Sequence, residues 1–257
     1  MSKLWLGSGW KMNKTLTEAH IFAKSLKDYI SGKDLDLNLF VVPPFTALHT
    51  VYEVLSDTPI KIGAQNMYWE DSGSFTGEIS PVMIKESGAT IVELGHSERR
   101  ILFGETDEQV NQKVLSAIRH GLQPLICLGE TKNEKESCLA EETVIRQISV
   151  ALKNVPANAI PSIIIAYEPV WSIGNNGTAA SPEYANKIHS LIRASIGRSY
   201  NVAMAENIPI LYGGSVNLQN AVSFIEQPGI DGLFIGRASW EVSSFIQILK
   251  AVENSQS

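Results

Sequence analysis

The chain has 257 residues, 44% hydrophobic and 19% charged, with 21 Lys+Arg against 27 Asp+Glu and a formal net charge of -6. This is a globular composition, and its acidic balance excludes the broad basic surface that holds nucleic acid or anionic lipid, so any anion must be held by a small local site. Cys127 and Cys138 are too few for a disulfide framework and lack zinc or redox spacing, no apolar run reaches the ~18 residues of a membrane helix, and no signal-peptide core is present, which together predict a cytoplasmic protein with no membrane partner.

In chain order, an apolar run at 3–8 (KLWLGS) predicts a strand. A helix follows over Thr15–Ile30, with Leu16, Ala19, Phe22, Ala23, Leu26 and Ile30 on one stripe and Thr15 with Glu18 as a capping box. Strand runs come next at 37–42 (LNLFVV), 60–64 (IKIGA) and 90–95 (TIVELG). A helix is predicted from Thr106, carrying Val110, Val114, Leu115 and Ile118 on one face, with Gly121 in the stop position. Runs at 123–129 (QPLICLG) and 162–168 (SIIIAYE) follow, Cys127 packing as a small apolar residue. Ser181-Pro182-Glu183 then opens a helix with an N-cap and a Pro at the first position, before final runs at 208–214 (IPILYGG) and 230–236 (IDGLFIG). The runs are nearly continuous in apolar character, the mark of parallel strands covered on both faces.

Eight strand-helix units average about 32 residues each, close to one βαβ repeat, and no linker marks a boundary. This predicts an α/β fold, a single (β/α)8 barrel over residues 1–257. An open doubly wound sheet is the alternative, but GSGWKMNKT at 7–15 lacks the full glycine spacing of a dinucleotide fingerprint.

Such barrels build their sites at the carboxyl ends of the strands. Those positions hold Lys11, His96 with Ser97 and Glu98, Glu168, then Gly213, Gly214 and Ser215, and Gly236 with Arg237. A cation, an imidazole, a carboxylate and two Gly-rich turns make a site for an anionic substrate and proton transfer. Singly, each has a bland alternative: a solvated loop carboxylate or lysine, a core histidine, a tight turn. His20, His49, His120 and His189 read as structural or surface residues. One histidine and no paired carboxylates at ligand spacing predict no metal, and no cofactor is implied.

The strings WKMN at 10–13, ELGHSERR at 93–100, AYEPVWSIG at 166–174 and LYGGSV at 211–216 resemble the triosephosphate isomerase family almost from end to end. AQNMYWEDSGSFTGE at 64–78 and DGLFIG at 231–236 support the resemblance. It implies that Glu168 is the general base and His96 a neutral electrophile, set before a short helix at SERR whose N-terminus disfavours imidazolium. It further implies that Lys11 attracts a substrate phosphate and stabilises an oxyanion, with Glu98 as its ion-pair partner. Residues 169–180 are similar to the family's mobile lid, hinged at Pro169-Val170-Trp171 and at Gly177-Thr178-Ala179. Gly174, Gly214, Ser215 and Gly236 would then offer backbone N–H groups to the phosphate. Ile173 and Phe234 would press on the base, or be ordinary core. Loop 65–80, with Met67, Tyr68, Trp69 and Phe75, implies a homodimer; the alternative is a loop folded onto its own barrel.

Three positions depart from the family pattern: Gly9 stands where Asn is usual, Asn175-Asn176-Gly177 where Thr-Gly-Lys is typical, and Arg237 on the second Gly of the last phosphate turn. Gly9 is expected to vacate space near the substrate, and Arg237 to touch phosphate or lie on the surface. GSGWKMNKTLTEA at 7–19 and GLFIGRASW at 232–240 resemble the tetrulose-phosphate branch of the family, which interconverts L-erythrulose 1-phosphate and D-erythrulose 4-phosphate. That small phosphorylated sugar is dihydroxyacetone phosphate with one more CH₂OH on the carbon that loses its proton. Isomerisation of the triose phosphate itself, or a non-catalytic phosphate-binding barrel, are the alternatives.

Overall fold

The computed structural model describes residues 3–174 and 177–256. Eight strands, β1 (Leu4–Gly9), β2 (Leu37–Val42), β3 (Lys61–Ala64), β4 (Ile91–Leu94), β5 (Gln123–Leu128), β6 (Ile164–Tyr167), β7 (Ile210–Tyr212) and β8 (Gly232–Ile235), close into one barrel in sequence order. Every pairing is parallel, and β1 closes the ring by pairing with both β2 (Leu4 opposite Leu37) and β8 (Trp5 opposite Gly232). All eight predicted runs form strands.

The near-continuous apolar character has a simple cause. Alternate residues of each strand face two different cores. Phe40, Val42, Ile91, Leu125, Cys127, Ile164, Ala166, Leu211 and Phe234 pack inside the barrel, while Leu6, Leu39, Val92, Leu94, Ile126 and Ile165 pack outward in the core shared with the helices. In β4, Ile91 points inward and its neighbours Val92 and Leu94 outward. The same period of two turns Glu93 inward, into an otherwise apolar layer.

The helices begin where local chemistry stops their orphan N–H groups from going unpaired. Thr15 and Glu18 form the capping box of Leu16–Ile30, whose Ala19, Phe22, Ala23, Leu26 and Ile30 are buried. Leu16 departs from the predicted stripe: it is 54% exposed, because the first helical residue precedes the point where the helix meets the sheet. Thr106 caps Asp107–Arg119 through Gln109, with Val110 and Val114 fully buried and Leu115 and Ile118 half-buried. Gly121 follows at φ +69°. Ser181 caps Pro182–Ser199 by accepting from the Tyr184 N–H. His189 of that helix is fully buried, and burial pushes its pKa down to about 3, so it is a neutral core histidine. Among the described residues no helix is long and apolar enough to cross a membrane.

Candidate active site

At the carboxyl mouth lies a cavity of about 480 Å³. It gathers Lys11, His96, Glu98, Glu168, Gly174, Gly214, Ser215, Gly236 and Arg237 from the five loops after β1, β4, β6, β7 and β8, together with Gly9, Glu93, Ile173 and Phe234. Residues far apart in the chain meet here because each follows its own strand of the closed barrel.

Lys11 leaves β1 in a left-handed conformation, φ +52°, which a non-Gly residue adopts only when its surroundings hold it. Gln65 holds it, donating from Nε2 to the Lys11 carbonyl at 2.8 Å and to the Val42 carbonyl at 3.0 Å. The turned backbone sends Lys11 Nζ to 2.6 Å from Glu98 Oε1.

His96 is the N-cap of the helix Ser97–Phe103, and its Nδ1 accepts the Glu98 N–H at 3.1 Å. An accepting Nδ1 carries no proton, so a neutral ring must hold its proton on Nε2. Nε2 lies 3.4 Å from Glu168 Oε2.

Glu168 leaves β6 with its N–H donated to the Leu128 carbonyl at 2.7 Å. Its side chain packs so closely over Gly213 that a Cβ there would lie 2.7 Å from Glu168 Cγ, which is why that position is glycine. Only 3% of Glu168 is exposed, and Oε2 makes no hydrogen bond among the described residues. Burial raises its pKa, while the neighbouring His96 ring and the Lys11 ammonium pull the other way.

One prediction is corrected at this point. No paired carboxylates were expected, yet an oxygen of Glu93, an oxygen of Glu168 and a ring nitrogen of His96 lie within 4.8 Å of one another. Glu93 escapes a sequence reading because a glutamate inside TIVELG carries no sign of which core it faces; only the inward parity shared with Ile91 points to it. This set of oxygen and nitrogen donors is of a kind that divalent cations accept, so chelation is a necessary control in any assay.

On the opposite wall, Gly174 has φ +88° and Arg237 opens a short turn, Arg237–Ser239, exposed at the rim. The Ser215 N–H donates to Ser172 Oγ at 3.0 Å and is thereby engaged with the 169–180 segment. Ser172 Oγ in turn lies 3.1 Å from Tyr212 Oη, which accepts the Ala180 N–H at 3.3 Å. Buried Glu130 grips the first hinge, accepting from Trp171 Nε1 at 2.7 Å and from the hydroxyls of Tyr167 and Tyr184. Sequence reasoning missed Glu130 and Gln65, whose partners come from other loops. Asn175 and Asn176 of the predicted NNG string lie outside the described residues.

Gly9 also differs from expectation. The space it vacates is occupied: a Cβ at Gly9 would lie 2.9 Å from Phe234 Cζ. That ring stacks on Phe40 with centroids 5.4 Å apart, so Phe234 is at once cavity wall and barrel core. Loop 65–80 is divided between its two readings: Met67 is fully buried, Tyr68 stacks on Trp69 at 4.0 Å, and residues 70–78 are exposed.

A closed parallel barrel with its polar chemistry gathered at the carboxyl mouth places the chain among the (β/α)8-barrel enzymes. More narrowly, the chain belongs to the triosephosphate isomerase family, whose model, Triosephosphate isomerase, matches residues 4–252. It is 50% identical over 250 residues to a Brucella abortus biovar 1 (strain 9-941) protein named L-erythrulose-1-phosphate isomerase, covering 97% of this chain and 96% of the relative. A Rhizobium meliloti (strain 1021) protein of the same name is 49% identical over 252 residues, 98% of this chain and 97% of the relative.

Proposed function

We propose that the protein interconverts L-erythrulose 1-phosphate and D-erythrulose 4-phosphate through an ene-diol. The observation that carries the chemistry is the facing pair of Glu168 Oε2 and His96 Nε2, 3.4 Å apart in a cavity shared with Lys11. The four-carbon substrate is supported by the name that relatives at about half identity bear over nearly their whole length.

Glu168 removes the proton from C3, its basicity raised by burial. Electrons flow into a C2–C3 double bond, and the C2 oxygen takes up negative charge beside His96 Nε2–H and Lys11 Nζ. His96 moves a proton between the two oxygens, and protonated Glu168 returns a proton to C2. The carbonyl now stands on C3 and, renumbered from the other end, the product is D-erythrulose 4-phosphate. No electrons are gained or lost overall. Gly174, Gly214, Gly236 and the Ser215 amide bind the phosphate, the last exchanging its bond to Ser172, and Arg237 adds charge at the rim. The segment 169–180 closes over the intermediate and excludes water.

Turnover in D₂O followed by NMR tests this route. Deuterium at the carbon that gains the proton, and loss of turnover in Glu168→Gln with glycerol 3-phosphate still bound, are the expected results. Unaltered turnover in that variant removes Glu168 from the base role.

The same reading includes a cytoplasmic homodimer working as one barrel domain per chain. It is supported by the exposed 70–78 loop and by Met12, Leu102 and Phe103, which are 95%, 70% and 69% exposed on the segments that carry Lys11 and His96. Apolar surface of that extent on site-bearing segments is suited to burial against a second copy.

A further inference from the structure

The proton transfers above employ Glu168, His96 and Lys11 and leave Glu93 without a task. Its position is costly. It lies in the inner layer of the barrel beside Cys127, only 7% exposed, and among the described residues its side chain accepts one hydrogen bond, from the Cys127 thiol at 3.8 Å. A thiol is a weak donor and does not repay the burial of a carboxyl.

Two carboxyl groups with oxygens within 4.8 Å in a buried site do not both ionise. Burial first, and the Glu168 charge second, push Glu93 well above its ordinary value. Of the two, Glu93 is the one pushed further toward its protonated, hydrogen-bond-donating form, while His96 and Lys11 hold Glu168 back.

The substrate's shape determines what that donor meets. In the functional reading above, the carbon that loses its proton meets Glu168, the phosphate is held by the Gly174, Ser215 and Gly236 turns, and the carbonyl faces His96. The additional CH₂OH, attached to the reacting carbon, is the end of the substrate farthest from the phosphate, beside Glu168, where Glu93 and Phe234 of the inner layer line the cavity. On one side of that layer Phe234, packed over Gly9, presents a hydrocarbon wall. Beside Glu168 that layer also presents the Glu93 carboxyl, with an oxygen within 4.8 Å of a Glu168 oxygen.

We propose that Glu93 is the specificity-determining residue for the four-carbon substrate, its carboxylic acid hydrogen-bonding the terminal hydroxyl of the additional hydroxymethyl group. This rests on the functional reading above and assigns the hydroxymethyl its binding partner. A buried polar group set to pair with a substrate hydroxyl penalises the ligand that lacks it, because the group is then left unpaired.

The test uses two unreactive alcohols, erythritol 4-phosphate and glycerol 3-phosphate, titrated calorimetrically into the full-length protein and its Glu93→Val and Glu93→Gln variants. Glu93→Val is expected to weaken the four-carbon ligand at least tenfold more than the three-carbon one. Glu93→Gln, whose amide still donates, is expected to retain most of the preference and serves if the valine variant does not fold. Equal weakening of both ligands, no preference in the parent protein, or a preference abolished by chelator and restored by Zn²⁺ overturns the proposal. Turnover of L-erythrulose 1-phosphate separates the two claims: its absence overturns the functional reading, whereas turnover with an unchanged ligand preference overturns only the role of Glu93.

Discussion

Two glutamates 75 positions apart in the sequence sit together at the mouth, and burial raises the pKa of both, with neighbours that differ. Glu168 faces His96 and Lys11, which favour its charge; Glu93 has the apolar layer and the Glu168 charge against it. A folded pKa raised above the ordinary 4.5 gives a stability contribution that is full below that value and is lost as pH rises through the folded pKa. Glu93→Gln, which has no charge to gain, is therefore expected to unfold at a higher temperature than the parent at pH 8, with the gap closing toward pH 4.5. Thermal unfolding curves that coincide across this range would contradict a neutral Glu93. The Gly9 and Phe234 pair makes a second prediction at this scale. Gly9→Ala is expected to cost about 1–3 kcal/mol by overpacking, relieved when combined with Phe234→Leu. Denaturant titration of the double-mutant cycle measures it, and strictly additive effects would mean that the ring is not what occupies the Gly9 side.

Trp171, Ser172 and Ala180 are held by polar contacts that can be removed singly. Tyr212→Phe keeps the ring, which stacks on Phe224 at 4.0 Å, and removes the hydroxyl that meets Ser172 and Ala180. At about 1 kcal/mol per net hydrogen bond, loss of one or both bonds is expected to lower kcat/KM roughly fivefold to thirtyfold, with the protein still folded. Steady-state kinetics alongside thermal unfolding checks this, and an unchanged kcat/KM would show that these bonds do not hold the working position. At this scale the sequence is most readable. Strands covered on both faces are apolar at most positions, and Thr15, Thr106 and Ser181 announce their helices because orphan N–H groups need a local acceptor. What escapes is long-range. Leu16 obeys the helical period yet lies before the packed stretch, Glu130 shows its purpose only when Tyr167, Trp171 and Tyr184 converge on it, and the vacancy at Gly9 is filled from β8, at the other end of the chain.

For the whole molecule, barrel closure brings loops from both ends of the chain into one cavity, so an acidic protein can hold an anion with a few cations and backbone N–H groups. The net charge of -6 excludes polyanions without excluding a sugar phosphate. Which residues stand at strand ends was legible; how the mouth discriminates was not, since Glu93 and Phe234 act through the layer beneath the loops. The exposed apolar surface on Met12, Phe75, Leu102 and Phe103 predicts a sedimentation mass of two chains, reduced toward one by Phe75→Glu. A monomeric parent protein at micromolar concentration would contradict the dimer. A four-carbon substrate is tested by kcat/KM for L-erythrulose 1-phosphate and dihydroxyacetone phosphate on the same preparation, with chelator present as a control. The tetrulose phosphate is expected to be turned over at least a hundredfold more efficiently, whereas a triose phosphate preferred by orders of magnitude would contradict the account.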